Sequence, residues 1–154
     1  MALAFRNIDA SPDDPVRTWP FEGVLTALER GGVDEWRRLA AAIQDDPWGQ
    51  VARYVEQAVA IAHPYGVSEV MTDVVAEARQ AAEESERGQV AAEVRHLIGA
   101  SGWTQARFAA GLGTSASRLS TYVTGSVVPS ATLMVRMRRV AAHAREHARA
   151  QGTT

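Results

Sequence analysis

Residues 104–125 constrain the chain more than any other stretch. Two short helical patterns meet there at a glycine-containing turn. Thr104 is placed to cap a first helix running through Ala110, its hydroxyl accepting from first-turn N–H groups that lack an intrahelical partner. Gly111, Leu112 and Gly113 interrupt that pattern, and Gly113 is free to adopt the left-handed conformation of a tight turn. Thr114 or Ser115 then caps a second helix to about Val123, and Gly125 stops it. Phe108, Ala109 and Leu112 fall on one side of the first helix; Leu119, Tyr122 and Val123 fall on one side of the second. Two helices closing on each other satisfy both stripes, and Ala109 is small where they would cross.

With those apolar positions turned inward, the second helix presents Ser115, Ala116, Ser117, Arg118 and Thr121 outward. These side chains are short and polar apart from Ala116 and one arginine, and none is acidic. Such a helix fits a DNA major groove about 12 Å wide and can bring hydrogen-bonding groups to base edges.

The stretch resembles the helix-turn-helix of the phage repressor/Cro family, also called the xenobiotic-response-element type. The residues carrying the resemblance are Thr104-Gln105-Ala106, Ala109, Gly113, Leu119, Tyr122, Gly125 and Pro129, within a match of about residues 90–140. Two positions depart from the family pattern, Arg107 where glutamate is common and Thr124 where an acidic or amide residue is common. The resemblance implies that Gln105 contacts the DNA backbone, that Ala116, Ser117 and Thr121 face bases, and that Arg118 meets a phosphate or a guanine. Arg107 adds a phosphate-contact candidate. It also implies a homodimer on a pseudo-palindromic duplex, since one module reads only a few base pairs.

Charge supports a nucleic-acid partner. The net charge of −2 conceals a division: residues 1–88 hold 8 arginines against 16 acidic residues, whereas residues 89–154 hold 8 against 2. No acidic residue lies between Arg95 and Arg145. A positive field of this kind favours phosphate contacts. Lysine and cysteine are absent, so neither disulfides nor thiolate metal sites are available. No apolar run approaches the ~20 residues that span a bilayer, and the first 18 residues lack the apolar core of a signal peptide. A cytoplasmic protein with no membrane association is expected.

Along the chain, residues 1–18 are polar, aperiodic and proline-containing, and read as a flexible arm. Residues 19–87 form an acidic helical effector or interaction domain. Its first helix carries Phe21, Val24, Leu25 and Leu28 on one face. A second, capped by Asp34, buries Trp36, Leu39 and Ile43. A third starts at Asp46-Pro47 with Trp48, Val51, Val55 and Val59 inward. A fourth opens at Ser68 with Met71, Val74 and Val75, and continues into an alanine-rich, charged connector that Gly88 can break. Residues 88–142 form the DNA-binding domain: a helix with Val90, Val94, Leu97 and Ile98, the two helices above, and a last helix capped by Ser130. Residues 143–154 lose apolar content and read as a frayed tail. Trp19, Trp36 and Trp48 read as core, with a docking patch as the alternative.

No residue set supports an active site, and no enzyme is expected. His143, Glu146 and His147 spell the inverted zinc-protease motif. A third protein ligand is missing, so neither metal nor cofactor is expected. The expected fold class is therefore all-α, an N-terminal helical domain plus a C-terminal five-helix-type repressor-like domain. The expected function is sequence-specific binding of double-stranded DNA as a transcriptional regulator, most simply a repressor. Two alternatives keep the DNA-binding module but give residues 19–87 another role. In one, an antitoxin, that domain captures a toxin protein while the chain represses its own operon; in the other it binds a small ligand that releases DNA.

Overall fold

The computed structural model describes residues 2–152. Among them, seven α-helices and one short 3-10 turn make up all the regular structure, and no strand is present. The chain divides into two compact units, one running to Glu83 and the other beginning at Glu84.

In the first unit, α1 (Phe21–Arg30), α2 (Val33–Asp45), α3 (Gln50–Ala62) and the start of α4 (Ser68–Ser101) surround one core. Val24, Leu28, Leu39, Ile43, Val55 and Met71 are the fully buried large side chains that its helices supply. Their spacing is the 3.6-residue stripe of each helix, and burying each against its neighbours contributes roughly 1.5–3 kcal/mol.

Several details depart from the sequence reading for local reasons. Residues 2–18 are aperiodic as expected, but they are packed rather than free. Trp19 is buried and its indole N–H donates to the Ser11 carbonyl at 3.1 Å. Arg38 reaches back from α2 to donate to the carbonyls of Pro12 at 2.6 Å and Asp14 at 2.8 Å, with its guanidinium over the Trp19 ring. Phe5 meets the same ring edge-on at 5.1 Å. Helix α2 is capped at Gly32, not at Asp34, because the Glu35 carboxylate accepts from the Gly32 N–H at 2.7 Å. Residues 47–49 form a turn before α3, which leaves Trp48 49% exposed beneath the Arg79 guanidinium instead of in the core. Trp36, by contrast, packs on the core and donates its indole N–H to the Ala27 carbonyl.

Helix α4 is a single 34-residue helix that passes Gly88 unbroken. Four helices build the second unit: the later part of α4, α5 (Gln105–Leu112), α6 (Ala116–Thr124) and the extended α7 (Ala131–Gln151). Their shared core is Val94, Phe108, Ala109, Leu112, Leu119, Tyr122, Met134, Met137 and Ala141. The stretch read as a frayed tail continues α7 through Gln151, and Ala144 is buried. Alanine and arginine sustain a helix there without an apolar stripe, because both rank among the best helix formers.

Candidate nucleic-acid interface

The α5–turn–α6 unit is assembled by caps. Thr104 Oγ1 accepts from the Arg107 N–H at 3.2 Å and opens α5. The helix continues through Gly111 to Leu112, past the interruption expected from sequence, and Gly111 admits the Trp103 ring at close range: a Cβ there would stand 3.2 Å from Trp103 Cζ3. Gly113 then turns left-handed at φ 74°, and the Thr114 N–H returns to the Ala109 carbonyl at 3.0 Å. That six-to-one bond closes the helix end. Ser115 is the cap of α6, its Oγ accepting from the Arg118 N–H at 3.1 Å. Leu119 and Tyr122 anchor α6 in the core. Arg95 on α4 donates to the Val123 carbonyl at 2.7 Å, placing a cation at the negative end of α6.

Of the residues singled out from sequence, Ser115, Ala116, Ser117 and Arg118 are exposed on the first turn of α6 and Thr121 is half-buried one turn later. Ser115 Oγ and Ser117 Oγ lie 3.2 Å apart, Arg118 Nε donates to the Tyr122 hydroxyl at 3.1 Å, and Thr121 Oγ1 donates to the Arg118 carbonyl at 2.6 Å. Gln105 begins α5, half-buried. Arg107 is exposed on α5, with its guanidinium stacked 4.4 Å from the Trp103 ring centroid.

Ser120 and Thr124 share the outward side of α6 and are exposed. Ser117, Ser120, Thr121 and Thr124 thus form a hydroxyl stripe at i, i+3, i+4 and i+7, a signal present in the sequence that attention to single positions passes over. Ser126, in the loop after α6, extends it by donating to the Thr121 carbonyl at 3.2 Å.

No carboxylate interrupts this face. Glu93 is held by Arg138 at 2.7 Å, and the bond from that guanidinium keeps its carboxyl below the usual carboxylate range. Glu146 stands 3.9 Å from His143, far along α7. His143 and His147 stack with ring centroids 6.2 Å apart, and no group of three or more metal-ligating side chains occurs among the described residues. No helix among them is long and apolar enough to cross a membrane.

A family model described as a helix-turn-helix domain matches residues 89–150. Searches of curated proteins and of solved structures gave no match. The match spans the later part of α4, all of α5 and α6, and α7 to residue 150, the same elements that share the second core. By this match, the C-terminal part of the chain is similar to a helix-turn-helix domain.

Proposed function

We propose that the chain is a sequence-specific regulator of transcription that binds double-stranded DNA through α6, acting as a repressor and as a dimer. The observation that carries this reading is the outward face of α6: four hydroxyl side chains and an arginine, on a helix anchored by Leu119 and Tyr122, in a unit with no acidic residue from 96 to 144. Hydroxyls can donate to or accept from base edges, and an acid-free surround lets the phosphate backbone approach. In this reading Ser117 and Thr121 read bases, Ala116 offers an apolar contact to a thymine methyl, and Gln105, Arg107, Ser115 and Arg118 position the backbone.

Selection from randomised duplexes tests it. Ser117→Ala and Thr121→Ala each change the preferred base at one or two positions; if both variants select the same sequences as the parent, α6 is not the reading element.

A second reading, ligand-controlled release of DNA, draws on a groove in the first unit between α3 and α4. It measures about 340 Å3, with Val55, Val59, Met71 and Val75 in its wall and the Glu56–Arg79 ion pair at its edge. That volume is at the small end of the ~300–1,000 Å3 range of ligand pockets. Filling the groove by Val59→Phe abolishes any effector response while leaving duplex selection unchanged.

A further inference from the structure

A second feature of the helix-turn-helix unit is an open polar cleft of about 460 Å3 beside α6. Arg118 of α6 and Arg136 of α7 line it together with the hydroxyls of Thr114, Ser130 and Thr132, and no carboxylate does. Each guanidinium is oriented by a neutral acceptor: Arg118 Nε donates to the Tyr122 hydroxyl, and Arg136 Nη1 donates to the Leu112 carbonyl at 3.3 Å. A guanidinium carries five N–H donors and stays charged at any ordinary pH. These anchors therefore fix the two heads without neutralising them.

No carboxylate among the lining residues neutralises them. Residues 96–144 contain no aspartate or glutamate, and Glu93 is engaged by Arg138. Two uncompensated cations facing one cleft repel each other, so the arrangement is relieved by an anion with several acceptor oxygens. The hydroxyls that line the same cleft suit the remaining oxygens of such a group.

We propose that this cleft is a phosphate site, with Arg136 a contact residue that the helix-turn-helix pattern does not mark. Arg118 and Arg136 grip the phosphate from α6 and α7, and Ser130 and Thr132 donate to it. The phosphate is either a backbone phosphodiester of the duplex, in which case the proposal rests on the DNA-binding reading above, or a free phosphate group.

The test uses the full chain. Binding to a random-sequence duplex is measured across salt for the parent, Arg136→Gln and Arg136→Lys. In parallel, inorganic phosphate is titrated while the arginine Nε–H signals are followed by NMR. With a backbone phosphate in the cleft, Arg136→Gln weakens all duplexes alike, by up to about tenfold near 0.1 M salt, and reduces the slope of log K against log salt by about one. Arg136→Lys retains the slope, which a purely structural loss of the Leu112 carbonyl contact would not explain. If the slope is unchanged but inorganic phosphate shifts the Arg118 and Arg136 signals saturably, and Arg136→Gln abolishes this, the site serves a free phosphate. An unchanged slope with unmoved signals overturns the proposal. If the parent binds no duplex even at low salt, the DNA-binding reading fails, and the phosphate titration alone decides the cleft.

Discussion

A hydroxyl bonded inside its own helix can accept a hydrogen bond without giving anything up, but must exchange that bond to donate. Thr121 is in this position, with its proton on the Arg118 carbonyl at 2.6 Å and its lone pairs free. It should therefore favour bases that present an amino group in the major groove, adenine or cytosine. Thr121→Val keeps the shape and removes the acceptor; the expected outcome is a loss of ~1–3 kcal/mol on the preferred duplex and little change on others, read from competition binding. Leu119→Ala is the contrasting case. Leu119 is wholly buried, so truncation leaves a cavity and costs ~2–5 kcal/mol of stability, seen in thermal melting, with no selective effect on base choice before the unit unfolds. Both residues were legible in sequence because a 3.6-residue period separates inward from outward positions. The bonds that tie Arg38 to Pro12 and Asp14, or Arg118 to Tyr122, were not legible. They depend on where a long flexible side chain ends, which no local pattern records.

At the scale of elements, glycine shows how far a local rule carries. Gly113 is left-handed, a conformation that strains a residue with a Cβ, so Gly113→Ala should destabilise the turn by about 1–2 kcal/mol. Gly88 sits inside α4, and a Cβ there would meet nothing within 4 Å. Gly88→Ala should instead stabilise the protein by about 0.4–1 kcal/mol, and the two melting shifts should have opposite signs. The same arithmetic explains why a break expected at Gly88 is absent. One glycine costs a helix about 1 kcal/mol, too little to interrupt a long run of alanine, glutamate, glutamine and arginine. The α5–turn–α6 unit was legible almost to the residue because its caps act locally. The link between α4 and α7 was not, since Glu93 and Arg138 lie far apart in sequence. That link has a pH signature. Its folded-state carboxyl is held low, so its contribution is present above the unfolded carboxyl pKa and fades as pH falls through the lower folded value. In Arg138→Gln the Glu93 carboxyl should titrate higher, moving back toward the ordinary glutamate range in an NMR titration.

Across the whole molecule, the division of charge was the most legible feature, because it needs only counting. An acidic stretch of 16 carboxylates against 8 arginines precedes a stretch with 2 against 8. Whether residues 2–18 pack was not legible, since their contacts come from Trp19 and Arg38 rather than from any periodicity of their own. The charge division sets what one module can do alone. With four to six phosphates neutralised per module, log K should fall against log salt with a slope of roughly −4 to −5. Such a contact set covers only a few base pairs, too few to single out one site, which is why the proposed function places two modules on one duplex. The geometry of B-DNA then fixes their half-sites about 34–36 Å apart, or a multiple of that, on one face. Inserting about five base pairs between the half-sites rotates one to the opposite face and should reduce binding to the level of a single half-site. Inserting about ten restores the face, and binding should recover in part, limited by how far the two modules can separate. Retention of full affinity at all spacings would mean that the chain binds each half-site independently, and the dimer would have to be abandoned while the reading by α6 still stood.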